Sequence, residues 1–189
     1  MNTPVSDRPR GENDGDLPVE LYSRRRYVPT VSVNIDSRVV APGDDDYLSD
    51  AWELKERIRR SEGVLKQRRG FFTDAYRRST VHLFLDDDDL VGFATVRRDG
   101  YILFLAVAPE FRGEGFGERL VARVADEHGS VTCHARATNE NALQFYESLG
   151  FEIKRRIENY YEDGGDAYYL KLGEDESITK RLSELVRRR

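Results

Sequence analysis

Arg112-Gly113-Glu114-Gly115-Phe116-Gly117 sets three glycines within five residues, straight after an apolar run. Glycine lacks Cβ and takes positive φ freely, so such a turn lets a ligand approach the backbone closely. Leu120, Val121 and Val124 follow at helical spacing. The N–H groups at a helix start have no partner inside the helix and sit at the positive end of its dipole. Together they form a cradle for phosphate, and the implied ligand is a pyrophosphate. The spacing G-x-G-x-G is not the G-x-G-x-x-G of a dinucleotide fold, and no acidic residue closes a strand about 20 residues on, as a ribose would need. No G-K-[ST] follows, which removes a Walker-type nucleotide site. A tight strand-to-helix turn without ligand is the alternative. His82, His128 and His134 are the only histidines, the side chains best suited to move protons near neutrality. Scattered as they are, with one cysteine, they offer no metal-ligand spacing.

The elements that must hold these residues can be read on either side of the turn. Residues 101–108 are almost wholly apolar and fit a central strand buried on both faces, which Pro109 stops. Downstream, residues 138–150 form a short helix. Thr138 or Asn139 caps it, Ala142, Leu143, Tyr146 and Leu149 make its apolar stripe, and Gly150 is its C′ residue. A strand over 131–136 precedes it. Another over 151–157 follows, with Phe151, Ile153 and Ile157 on one face. Upstream come a first strand in two parts over 31–40 and a turn at 41–44. A helix over 47–58 builds on Leu48, Ala51, Trp52, Leu54 and Ile58, and a second short helix covers 70–77. A hairpin joins 81–85 to 90–96 around four aspartates, and Asp99-Gly100 turns into the central strand. The last strand covers 166–172. A terminal amphipathic helix over 177–188 carries Ile178, Leu182, Leu185 and Val186 on one side. Residues 1–30 show no apolar periodicity and are expected to be disordered. The plan is therefore an N-terminal segment 1–30, one α/β domain 31–172 and a C-terminal helix 173–189.

Composition narrows the class. At 189 residues there is room for one domain with a sizeable core. No apolar run of about 18 residues is present, so no membrane span is expected, and the polar, acidic start does not read as a signal peptide. Cys133 alone excludes an internal disulfide framework. A formal charge of −5 argues against a nucleic-acid partner. A cytoplasmic protein is expected, with oligomeric state open and a homodimer among the options.

The segments V-A-P-E-F-R-G-E-G-F-G (107–117) and N-E-N-A-L-Q-F-Y-E-S-L-G-F (139–151), in that order, resemble the GNAT superfamily of N-acetyltransferases. The likeness covers roughly residues 36–172. It implies an α/β GNAT fold, with a mixed central sheet of six to seven strands flanked by four helices; the terminal helix lies outside that common core. It also implies acetyl-CoA as co-substrate and no metal. Backbone N–H groups of Arg112, Gly113, Glu114, Gly115, Phe116 and Gly117 would hold its pyrophosphate. Leu105, Val107, Asn139 beside the CoA arm, and Tyr146 near the sulfur complete that set. On spacing alone Tyr146 equally fits an ordinary core aromatic.

One branch is closer still. C-H-A-R-A-T-N-E-N-A-L-Q-F-Y (133–146) with N-Y-Y-E-D-G-G-D-A-Y (159–168) resembles the protein N-terminal acetyltransferases, including the bacterial ribosomal-protein enzymes of the RimI type. In that branch the position of His134 holds Glu or His as general base. A Tyr at the start of the central strand assists, and Tyr101 stands there. Tyr146 would protonate the CoA thiolate, while Tyr160 and Tyr161 would line the groove for the substrate's first residues. Where the branch carries an aromatic-proline wall, residues 62–72 contain no proline; Arg68, Arg69, Phe71 and Phe72 would form a different wall.

Acetyl transfer needs a deprotonated amine placed against the thioester, an aid for the oxyanion and a proton for the thiolate. A peptide α-amine titrates near 7.7–8.0 and lysine near 10.4, so a histidine near 6.5 suits the former. The alternative for His134 is a strand histidine with a satisfied hydrogen bond, and for Tyr160 and Tyr161 simple loop packing. Three functions follow. The first is acetylation of a protein N-terminal α-amine. The second is acetylation of a lysine side chain or small-molecule amine. The third is a non-catalytic acyl-CoA-binding module, which would not need His134, Tyr101 and Tyr146. An open cleft between the 63–72 region and the 160–165 loop favours a peptide; a capped one favours a small amine.

Overall fold

A computed structural model describes residues 35–173, Lys180 and residues 182–184. Seven strands are arranged β1-β2-β3-β4-β5-β7-β6. They are β1 (Ile35–Val40), β2 (Thr80–Asp86), β3 (Asp89–Val96), β4 (Tyr101–Val107), β5 (Thr132–Arg136), β6 (Phe151–Ile157) and β7 (Ala167–Leu172). Among the described residues they are accompanied by α1 (Leu48–Glu62), α2 (Arg69–Arg77), α3 (Phe116–Glu127) and α4 (Glu140–Ser148), by a single 3-10 turn at Pro109–Phe111, and by helical backbone at Lys180 and 182–184. Every neighbouring pair is antiparallel except β4 and β5.

The period-two alternation of the strands serves two cores. Val81 and Leu83 of β2 join Ala51, Leu54 and Ile58 of α1 and Phe72, Ala75 and Tyr76 of α2. Phe84 of the same strand joins Leu120, Val121 and Val124 of α3 and Tyr146 and Leu149 near α4. Leu182 is buried in that second core, so at least this residue of the expected terminal helix packs on the domain. Ile178, Leu185 and Val186 lie outside the described residues, as do the 1–30 segment and residues 31–34 of the first strand.

β4 departs from a plain central strand. Thr95 pairs with Phe104 and Val96 with Ile102, which leaves Leu103 as an extra residue. The Thr95 hydroxyl accepts the Phe104 N–H at 3.0 Å. The slip turns Ile102 to the α3–α4 core and Phe104 and Ala106 to the α1–α2 core. β4 is not buried on both faces: Tyr101, Leu103, Leu105 and Val107 are only half-buried. The reason is that β4 and β5 pair only at Tyr101–Thr132 and Ile102–Cys133. Beyond that point the strands part, and β4 from Leu103 onward has no ladder partner on β5. β6 is an edge strand, so Ile153 is 43% exposed rather than a core residue.

Candidate active site

A cavity of about 510 Å³ fills the parting of β4 and β5. It runs from the start of α3 to the loop between α1 and α2, and Leu105 and Val107 line it.

At the α3 end the glycines divide the work. Gly113 and Gly115 have φ of 79° and 83°, and Gly115 is the N-cap of α3. A Cβ on either would meet nothing within 4 Å. They are therefore required by backbone conformation and leave open space beside the free N–H groups of the helix start. Gly117 differs, because a Cβ there would lie 3.1 Å from the Phe145 ring. Its role is the close approach of α3 to α4. Phe116 turns its ring into the core against Phe84 and Phe111, so only its backbone can serve a ligand. Arg112 lines the cavity, with Nη1 2.7 Å from Glu62 and Nε donating to the Val107 carbonyl. Glu114 is exposed and does not line the cavity. Asn139 caps α4, its Oδ1 accepting the Ala142 N–H at 3.1 Å. Asn141, Ala142 and Phe145 also face the cavity.

Where the strands begin to part, three aromatic side chains meet. His134 Nδ1 lies 2.6 Å from the Tyr101 hydroxyl. The Tyr160 ring stacks on His134 at 4.5 Å and 15°, and its hydroxyl is 3.5 Å from that of Tyr101. His134 Nε2 is buried and has no hydrogen-bond partner among the described residues. Burial, then the nearby Arg155, moves the His134 imidazole below its usual value. Burial, then Tyr160, pushes the Tyr101 hydroxyl up. With Nδ1–H donating to the Tyr101 oxygen, a lone pair at Nε2 is left to take a proton. Tyr146 lines the cavity yet is also a core residue, between Phe145 and Phe151 and beside the Cys133 thiol. Burial pushes Tyr146 well up and the Cys133 thiol to about 12, so both keep their protons at neutral pH.

The far end is built from side chains. Tyr161 faces the cavity with the Arg136 guanidinium 4.1 Å over its ring. Asp163 accepts from Arg136, Lys66 and the Gly165 N–H, and these partners hold its carboxyl down at about 2. Lys66–Asp163 at 3.0 Å and Arg68–Glu162 at 2.9 Å join the α1–α2 loop to the β6–β7 loop. The mouth is thus bridged rather than freely open. Phe72 is fully buried against Phe93 and Phe104 and cannot touch a substrate. Phe71 is 55% exposed and lies outside the cavity. The wall expected from them is formed instead by Val64, Leu65, Lys66 and Gln67. Arg136 was within reach of sequence reasoning: two residues after His134 on one strand, it shares that face.

A family model described as "Acetyltransferase (GNAT) domain" matches residues 77–153. The chain is similar to N-alpha-acetyltransferase 30 of Xenopus laevis, 41% identical over 80 residues, which span 40% of this chain and 29% of that protein. It thus matches less than a third of that relative's length. Against N-alpha-acetyltransferase 30 of Schizosaccharomyces pombe it is 29% identical over 142 residues, 68% of this chain and 93% of the other. Among solved structures, Arabidopsis thaliana Naa50 in complex with the bisubstrate analogue CoA-Ac-MVNAL superimposes with a TM-score of 0.57 at 26% identity, covering 75% of this chain and 99% of that one.

Proposed function

Because the chain belongs to the GNAT superfamily, we propose that it moves the acetyl group of acetyl-CoA onto the N-terminal α-amine of a protein or peptide. The observation that carries this reading is His134, which lines the cavity and is held by Tyr101 and Tyr160, in a cavity whose other end is a helix start flanked by positive-φ glycines. The relatives named as N-alpha-acetyltransferases and the structure holding a CoA–peptide analogue support it.

The residues fit the co-substrate. Gly113, Gly115, Phe116 and Gly117 line the cavity at the start of α3, with open space beside Gly113 and Gly115 suited to a pyrophosphate, and the unpaired edge of β4 offers backbone groups to an extended pantetheine arm. His134 Nε2 takes the proton of the attacking amine, and Tyr101 at Nδ1 fixes the ring and its tautomer. The amine nitrogen bonds to the acetyl carbon, the C–S bond breaks, the sulfur receives the proton of Tyr146, and the proton taken up at His134 is passed on through solvent as Tyr146 is reprotonated. The buried Tyr146 hydroxyl keeps its proton at neutral pH, so that proton is present to be given. The lowered pKa of the His134 imidazole leaves it neutral and able to accept at neutral pH, and an imidazole is better matched to an α-amine near 8 than to lysine near 10.4. Residues 31–172 are the proposed catalytic domain, and the cytoplasm its proposed setting.

Acetylation of a lysine side chain or small amine is the second reading, favoured by the bridged mouth. Those ion pairs are exposed and worth about 0–1 kcal/mol each, so a peptide can displace them. A CoA-release assay separates the readings. The panel holds peptides with free N-termini, the same peptides blocked but containing lysine, and small amines. Turnover confined to free N-termini is the expected result; turnover only on the others overturns the α-amine reading and keeps the acetyltransferase.

A further inference from the structure

α1 carries a lysine that its position does not explain. Lys55 lies on the buried face with Ala51, Leu54 and Ile58, and its side chain is wholly inaccessible. A charge is not placed there without partners. Its ammonium donates to the Gln67 carbonyl at 2.6 Å and to Glu56 at 3.1 Å, and lies 4.5 Å from the centre of the Trp52 ring. Glu56 does not depend on it, because Arg59 holds that carboxylate through Nε and Nη2 at 2.7–3.0 Å. What Lys55 alone supplies is a charge-assisted bond to the α1–α2 loop, twelve residues on.

That loop needs such an anchor. It leaves α1 through Gly63 at φ 70° and then places Leu65, which has a Cβ, at φ 52°. Val64, Leu65, Lys66 and Gln67 all line the cavity at its acceptor end. Among the described residues its ion pairs to the β6–β7 loop, Lys66–Asp163 and Arg68–Glu162, are exposed, and its Val64 and Leu65 are only partly buried against the α1–α2 core. Gln67 Oε1 is itself buried and has no hydrogen-bond partner among the described residues, so the side chain is held by the fixing of its backbone rather than by its own oxygen.

We propose that Lys55 is a positioning residue for the acceptor: from beneath the cavity it fixes the α1–α2 loop as one wall of the acceptor site, and touches neither substrate. This rests on the acetyltransferase reading above. The test compares the full chain with Lys55→Met, which keeps length and removes the donor, and Lys55→Gln, which keeps a donor without charge. Lys55→Met is expected to raise acceptor KM about tenfold, the scale of one lost charge-assisted bond, with acetyl-CoA KM unchanged. Lys55→Gln should recover part of the loss. Amide hydrogen exchange over residues 63–68 should quicken in Lys55→Met, with exchange in the sheet unaltered. An acceptor KM that stays at the wild-type value overturns the proposal, and so does unchanged loop exchange. Equal losses for both substrates with a lowered Tm would assign Lys55 a general folding role instead. If the wild-type chain acetylates no amine, the acetyltransferase reading fails, and loop exchange still decides whether Lys55 fixes the wall.

Discussion

The two ends of the cavity are made from different materials. The α3 end is backbone: positive-φ glycines and the free N–H groups of a helix start. The acceptor end is side chain: Tyr161 under Arg136, Asp163 with three donors, and a loop pinned by a buried lysine. A backbone cradle binds a group common to every cycle of reaction and needs only local chain geometry. A side-chain wall can differ from one protein to the next while the cradle stays, which suits an end that must select its acceptor.

Substitutions can break or sharpen this contrast. The largest effect is expected between the two ends, at His134. His134→Ala should lower kcat by about 10²-fold or more while acetyl-CoA affinity stays as it was, measured by steady-state kinetics beside calorimetry. An unchanged rate would remove His134 from the chemistry. The same group sets the pH dependence. In the proposed role its neutral form is the active one, and burial holds it below the usual 6.5, so kcat should hold through about 6.5 and fall only at more acid pH. That acid limb should vanish in His134→Gln, whose residual rate should show no such fall.

Smaller effects should divide the ends. Gly115→Val forces a β-branched residue to φ 83° at the cradle, and should weaken acetyl-CoA binding about tenfold. Gly117→Val should instead lower Tm by crowding the Phe145 ring. Equal behaviour of the two would erase the distinction drawn between them. Tyr146→Phe should slow turnover about tenfold with acetyl-CoA affinity kept; a marked fall in Tm without a change in kcat would make it a packing residue alone. Arg68→Ala should be the mildest, shifting acceptor KM about twofold and less at high salt, because its partner Glu162 is exposed. A tenfold shift that ignores salt would mean Arg68 contacts the acceptor directly.

What the sequence reveals follows from the same contrast. The glycine turn, the Asn139 cap and the Asp99-Gly100 hairpin depend on residues a few positions apart, and each stands where its spacing puts it. Phe72 shows a readable signal set aside: Phe72, Ala75 and Tyr76 recur at helical spacing and all are buried. Phe71, one residue away, turns outward. The α1–α2 and β6–β7 loops meet through Lys66 and Asp163, 97 residues apart. No local pattern announces such a pair, and abundant charge conceals it. Lys55 reads in the sequence as one more charge in a charged helix; only its bond to the distant Gln67 carbonyl sets it apart.

The extra residue at Leu103 has a consequence for how this chain can change. Because the even-numbered side chains of β4 face one core before Leu103 (Ile102) and the other after it (Phe104, Ala106), with Leu105 and Val107 on the opposite face, its length acts as a phase setting. Deleting one residue there would send Phe104 and Ala106 to the wrong sides and present Leu105 and Val107 to the wrong layer, leaving both cores miscut at once. The four-aspartate turn at 86–89 is under no such constraint. Length variation in descendants of this chain should therefore collect in that turn and spare β4, although both lie in the same sheet.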